Sequence, residues 1–114
     1  RPDMNARSSF LNITRTTFAL AVALSFSAGA FAQADEARAR KIAGGSCFLC
    51  HGAQGESTSE VFPRLAGQHA EYTATQLRHF RDGTRANNAQ MTGVAAKMND
   101  LEIKAVSDYI AGLR

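Results

Sequence analysis

Two cysteines and a histidine lie within five consecutive positions of the chain, as Cys47, Cys50 and His51. This Cys-x-x-Cys-His spacing is the attachment signature of a c-type haem. Two thiols about one helical turn apart share a helix face, so each can add to one vinyl group of the porphyrin. The adjacent imidazole is then placed to bind the iron as its proximal ligand. Because the chain has two cysteines in all, the motif predicts one haem c, attached through Cys47 and Cys50, with His51 on the metal.

Other chemistries use a Cys-x-x-Cys pair, namely a redox dithiol, a disulfide or half of a zinc site. A thioredoxin-like dithiol expects strands around the motif, and no strand pattern lies near it. A structural zinc site needs four ligands, and His69 and His79 are ten positions apart, which suits no zinc spacing. A disulfide between the two cysteines would give the adjacent His51 no role. The sequence therefore favours haem attachment, with a redox dithiol as the main alternative.

The first third of the chain has the pattern of a secretory signal peptide. Residues 1–3 precede Met4 as an upstream remnant, and the apolar stretch over residues 16–32 ends in small residues at Ala32. An uncleaved anchor is the alternative, but the stretch is shorter than the roughly 20 residues of a spanning helix. We therefore expect residues 1–32 to be removed and the remaining chain to be periplasmic, where bacterial haem attachment takes place.

Residues 33–114 then form one small domain, in which ten Lys and Arg face nine Asp and Glu. The formal charge of +3 for the whole chain falls to about +1, and two haem propionates would bring it near neutral. This charge indicates no nucleic-acid or membrane-surface partner. A domain of this size has a marginal core, which a buried haem would enlarge.

Hydrophobic periodicity predicts three helices, over residues 34–43, 70–82 and 100–113. Gly83 is suited to end the second helix, and Asn99 to cap the third with a capping box. The fold class is therefore predicted to be all-α.

Two other segments lack a helical pattern. Gly44 and Gly45 are expected to end or loosen the first helix just before the motif. Residues 52–68 have neither helical nor strand periodicity, and an irregular stretch of this length in a small domain is expected to serve a function. Packing over a haem edge would explain it.

The second iron ligand has four candidates, Met91, Met98, His69 and His79. Met91 is preferred because residues 85–93 are predicted to be non-helical and so able to bend its side chain towards the iron. Met98 is expected to fill the core at the start of the last helix, and the two histidines are expected to be surface residues. A His/Met pair closes the iron to other ligands, whereas an open position would indicate catalysis or gas binding.

Four ordered segments together resemble the class I c-type cytochromes, specifically the small bacterial kind found as single-haem periplasmic carriers and as paired domains of di-haem cytochromes. The resemblance covers about residues 37–113. The segments that carry it are 47–55 around the motif, 62–68 with its proline, 72–85, and 91–110 with its methionine.

The resemblance implies a fold of three main helices and loops wrapped around a covalently bound haem. It implies thioethers at Cys47 and Cys50, proximal His51 and distal Met91. The resemblance further implies that the carbonyl of Pro63 accepts a hydrogen bond from His51, that Gln68 and Tyr72 line the haem crevice, and that Ala39 packs against Tyr109 where the first and last helices cross. The family often has a second methionine three residues after the ligand, and here that position is Val94.

The resulting hypothesis is a mono-haem electron carrier that is not an enzyme. Its partners would be redox proteins in transient complexes, with a dehydrogenase or oxidoreductase as donor and an oxidase or reductase as acceptor. No stable membrane insertion is expected once the signal is cleaved. One alternative is a haem-bearing relay subunit of a larger oxidoreductase complex, and another is an enzyme or gas sensor with an open iron position.

Overall fold

Helices make up the regular secondary structure of residues 35–114, and the described part of the chain contains no strand. The computed structural model describes these residues together with Gly29, Ala32 and Gln33. The signal peptide predicted over residues 1–32 therefore lies outside the described residues, apart from two isolated positions. None of the helices described is long and apolar enough to cross a membrane.

Five α-helices and one π-helical turn follow one another along residues 35–114. The elements are, in chain order, α1 over residues 35–42, the π-turn over Ala43–Cys47, α2 over Phe48–His51, α3 over Ala70–Asp82, α4 over Ala89–Ala95 and α5 over Asp100–Ala111. The all-α prediction is confirmed, and α3 has the bounds predicted for the second helix. The last helix ends two residues earlier than predicted.

The predicted signals at the helix ends are present. Gly83 adopts a left-handed conformation with φ of 82° at the end of α3, a backbone angle that favours glycine. At the start of α5, Asn99 Oδ1 accepts a hydrogen bond from the Glu102 amide at 2.9 Å, and Glu102 Oε2 accepts one from the Asn99 amide at 3.1 Å. This reciprocal pair is the predicted capping box.

The paired glycines loosen the helix without ending it. Ala43–Cys47 forms a π-turn, in which the amide of Phe48 donates to the carbonyl of Ala43 five residues earlier. A β-carbon added at Gly44 or Gly45 would meet nothing within 4 Å, so no close neighbour requires glycine there. A π-turn adds one residue to the helical turn. The chain therefore enters the Cys-x-x-Cys-His motif already helical. The added residue rotates the two cysteines about the helix axis, away from the positions they would have in a continuous α-helix.

The prediction that residues 85–93 are non-helical is wrong, because α4 begins at Ala89. Gly93 and the β-branched Thr92 and Val94 weaken the helical propensity of this stretch. Packing outweighs that weakness, since α4 lies against α3 and Ala95 is fully buried in the core.

The core forms where α3 and α5 pack together, and α1 and α4 add small residues to it. Its buried apolar members are Ala39, Ala74, Leu77, Phe80, Ala95, Met98, Ile103, Val106 and Ile110. Ala39 is fully buried, and its neighbour Arg40 lies 5.7 Å above the Tyr109 ring. Because alanine has a short side chain, α1 can approach α5 closely.

Residues 52–68 are irregular, as predicted, and backbone hydrogen bonds fix their path. The carbonyl of Gly55 accepts from the amides of Leu65 at 2.8 Å and Ala66 at 2.9 Å. Gly55 has φ of 75°, and a β-carbon there would lie 3.2 Å from the Ala66 nitrogen. The amide of Gly67 donates to the carbonyl of Ile110 at 3.0 Å, which ties the loop to α5.

Replacing Glu102 by Gln is predicted to destabilise the fold in a pH-dependent way. The side-chain hydrogen bond from Arg38, 2.6 Å away, lowers the pKa of Glu102, and the Asn99 amide lowers it further. A lowered pKa stabilises the fold above the ordinary glutamate value of about 4.3, and this contribution is lost as pH falls through the folded-state pKa. Chemical denaturation should therefore show a deficit for Glu102→Gln at pH 7 that shrinks towards pH 3.

Glutamine at position 102 can still accept the hydrogen bond from the Asn99 amide. The substitution therefore tests the carboxylate charge and leaves the helix cap in place. Glu36→Gln is the matched control, because Glu36 pairs with Arg40 and both side chains are mostly exposed. Its effect should be smaller. An equal deficit for Glu102→Gln at pH 3 and pH 7 would contradict the role of the charge.

Candidate cofactor site

A cavity of about 490 Å³ lies between the Cys-x-x-Cys-His segment, the 61–68 loop, α3, α4 and α5. This volume is in the range of cofactor and ligand sites. The cavity is lined by the seven residues that were predicted to form the haem site, namely Cys47, Cys50, His51, Pro63, Gln68, Tyr72 and Met91.

Both cysteines line the cavity, Cys47 from the π-turn and Cys50 from α2, and they form no disulfide with each other. Cys47 packs against the core, and burial raises the pKa of its thiol. Redox-active cysteines of Cys-x-x-Cys motifs have lowered pKa values, because the thiolate is the reactive form. The setting of Cys47 therefore argues against the redox-dithiol interpretation.

His51 ends α2 and is held in one orientation. The residue is 7% exposed, and Nδ1 lies 2.6 Å from the carbonyl oxygen of Pro63. A carbonyl can only accept, so this contact places the proton on Nδ1 and leaves the lone pair of Nε2 free for a metal. The contact that the family resemblance implied is present, and the ring edge also faces Phe62 with centroids 6.2 Å apart.

The four candidates for the second ligand occupy different environments. Met91 lines the cavity from α4, whereas Met98 is buried in the core, and neither His69 nor His79 reaches the cavity. Met91 was expected to approach the site from a non-helical segment, but it does so from a helix. Asn88 caps that helix by accepting the amide hydrogen of Met91 at 2.9 Å. The assignment of Met91 as distal ligand remains a prediction.

The sequence did not single out most of the remaining lining residues. Leu77, Val106 and Ile110 belong to the apolar stripes of α3 and α5, so helical periodicity contained a signal for them. The polar residues of the rim had no such signal, because their positions depend on the turn after α3 and on the undetected helix α4. These residues are Arg85, Asn87, Asn88 and Gln90.

The chemistry of the lining fits a haem. The cavity combines two thiols, an imidazole with a free nitrogen and a thioether with an apolar wall from α3 and α5. Thr73 lines the cavity too, and its hydroxyl is buried without a hydrogen-bond partner among the described residues. No group of three His, Cys, Asp or Glu side chains suited to a metal ion occurs among the described residues, so a zinc site finds no support in them.

Comparisons with known proteins agree with this geometry. The sequence model of the family described as Cytochrome c matches residues 36–114. Cytochrome c4 of Azotobacter vinelandii is 46% identical over 82 residues, which are 67% of this chain and 39% of that protein. Cytochrome c-554(548) of Halomonas halodenitrificans is 36% identical over 67 residues, 57% of this chain and 81% of that protein.

A third relative, from Stutzerimonas stutzeri strain A1501, is named thiosulfate dehydrogenase electron acceptor. It is 44% identical over 69 residues, 59% of this chain and 32% of that protein. The crystal structure of reduced recombinant cytochrome c4 from Pseudomonas stutzeri superposes with a TM-score of 0.65 at 40% identity, covering 72% of this chain and 50% of that one. The predicted cytochrome c fold is thereby confirmed. The chain spans about two fifths of the length of the first cytochrome c4 relative.

Replacing Asn88 by Ala is predicted to destabilise the haem-bearing protein by about 1 kcal/mol, the usual cost of losing an N-cap. The lost hydrogen bond is the one that the Met91 amide donates. Denaturant unfolding of the purified protein measures the change. Asn88→Asp keeps an acceptor at the cap and should stay within a few tenths of a kcal/mol of the wild type. If Asn88→Ala were as stable as Asn88→Asp, the cap would not hold α4.

Proposed function

Because the chain belongs to the cytochrome c family, we propose that it is a periplasmic electron carrier whose haem iron is held by His51 and Met91. The cofactor of the family is haem c, and Cys47 and Cys50 are the only cysteines in the chain to which it can be attached. One observation carries the ligand assignment. Of the four candidates for the second ligand, Met91 alone shares the cavity with His51.

A haem bound in this cavity supplies an iron that takes up or releases one electron. The hydrogen bond to Pro63 fixes the His51 ring and strengthens Nε2 as a donor. As a ligand, the thioether of Met91 would favour the ferrous state and raise the reduction potential. If His51 and Met91 both bound the iron, no position would be left on it for a substrate, and the protein would act as a carrier and not as an enzyme or gas sensor.

The ligands are held in place before any electron arrives. His51 is buried and hydrogen-bonded, and the backbone of Met91 is fixed by the Asn88 cap. Leu77 and Phe80, with Val106 and Ile110 of α5, form an apolar wall along one side of the site. A site that rearranges little between its two charge states transfers electrons with a low barrier.

The partners are proposed to be redox proteins that bind briefly. Val61 lies at the cavity and is 76% exposed, and Leu49 of the haem motif is 78% exposed, so both offer apolar surface beside the site. Small contacts of this kind give weak, short-lived complexes. One relative is named as an electron acceptor of thiosulfate dehydrogenase, which supports a dehydrogenase as donor here, with an oxidase or reductase as acceptor. The apolar leader over residues 16–32 supports the periplasmic location.

Replacing Met91 by Ala is predicted to abolish the weak sulfur-to-iron charge-transfer band of the oxidised protein. The reduced variant should also bind carbon monoxide, which the wild type should not, because one axial position becomes open. Absorption spectra of the exported, haem-bearing protein measure both effects.

Met98→Leu is the matched control. It conserves volume in the core, where Met98 is 6% exposed, and should cost less than about 1.5 kcal/mol while leaving the band intact. Loss of the band in Met98→Leu but not in Met91→Ala would transfer the ligand role to Met98. Uptake of carbon monoxide by the wild type would instead favour the open-iron alternative.

A further inference from the structure

Arg85 presents a guanidinium to the wall of the cavity, held by neutral groups. Its Nη1 donates to Gln76 Oε1 at 2.8 Å and its Nε to Asn87 Oδ1 at 3.2 Å. Its Cζ lies 4.5 Å from the centroid of the Phe80 ring. The backbone is fixed as well, because the Arg85 amide donates to the carbonyl of His79 at 2.9 Å across the turn at Gly83. The side chain is therefore positioned before any ligand binds.

Arg85 has no carboxylate within ion-pair distance among the described residues. Four other cations, Arg38, Arg40, Arg81 and Lys104, each have a carboxylate oxygen between 2.5 and 3.1 Å away. The cavity lining contains no Asp or Glu. The half-buried guanidinium of Arg85 thus borders the cavity, and no described residue supplies a counter-charge.

A guanidinium in this setting favours a carboxylate ligand. It has five N–H donors, and the contacts with Gln76 and Asn87 use two of them. The face of Phe80 shields it from water on one side, and a desolvated charge is costly until it is paired. The planar fork of arginine matches a carboxylate with two parallel hydrogen bonds. The haem carries two such groups, its propionates.

We propose that Arg85 pairs with a haem propionate and, by neutralising it, raises the reduction potential of the iron. The inference rests on the haem site of the proposed function and assigns Arg85 as a positioning residue that also sets the driving force for electron transfer. Arg64 is the other arginine at the cavity, but it is exposed, and its Nε makes one long contact of 3.4 Å with the Ala66 carbonyl. Arg85 is the better prepared partner.

Redox titration of Arg85→Gln in the exported, haem-bearing protein tests the proposal. Removing the positive charge leaves the propionate charge uncompensated, which favours the ferric state. The equilibrium constant for reduction by a fixed donor should fall about tenfold, which is about 59 mV for a one-electron couple. Arg85→Lys keeps the charge and should recover most of the fall. Arg78→Gln removes a charge from the preceding helix, α3, at a residue outside the cavity lining and should change the constant less than about threefold.

Arg85→Gln should keep the sulfur-to-iron band. If the His/Met assignment were wrong, the wild type itself would lack this band, so that failure is distinguishable from failure of the present proposal. The pairing would be overturned if the equilibrium constant fell no more in Arg85→Gln than in Arg78→Gln. Equal falls of the constant in Arg85→Gln and Arg85→Lys would overturn it as well. A tenfold fall in Arg64→Gln alone would assign the propionate to Arg64.

A measurement on the wild type covers the case in which Arg85→Gln does not accumulate with haem. In the reduced, diamagnetic protein, NMR should show cross-relaxation between the Arg85 side chain and propionate methylene protons. Cross-relaxation from Arg64 to both propionates, with none from Arg85, would overturn the proposal.

Discussion

The hydrogen bond from His51 Nδ1 to the Pro63 carbonyl is the contact on which the site depends, because it fixes the orientation of the imidazole. His51 ends a helix, whereas Pro63 lies in a loop that has no secondary structure of its own. The loop is anchored in turn by the hydrogen bonds that the Gly55 carbonyl accepts and by the hydrogen bond that the Gly67 amide donates to α5. The orientation of one imidazole is therefore fixed by backbone contacts that extend to the last helix.

The core and the cofactor site are built from the same side chains. Leu77, Phe80, Val106 and Ile110 are buried in the core and also line the cavity. Among the buried core residues described, Met98 and Ile103 are the large apolar ones outside this shared set, so a haem in the cavity would complete a core that is small by itself. Occupancy of the site and stability of the fold are coupled for that reason.

Much of this organisation was predictable where local sequence determines structure. The bounds of α3, the left-handed Gly83 and the capping box at Asn99 follow from periodicity and short-range hydrogen bonds. Helix α4 was not predictable in this way, because Gly93 and its β-branched neighbours oppose a helix that packing on α3 stabilises. Met91 was predicted to lie at the site on the assumption of a non-helical segment, which is incorrect. The position of Arg85 depends on a turn and on two amide side chains, and no sequence motif describes either.

The packing of α1 on α5 bears on the order in which the chain acquires its structure. The pair formed by Arg38 and Glu102 spans 64 residues, and Phe48 of the haem motif lies 6.4 Å from the ring of Tyr109. A chain that emerges from its N-terminus presents both thiols long before α5 is available to cover them. The topology thus keeps the attachment site accessible while the chain emerges and encloses it only when the last helix arrives.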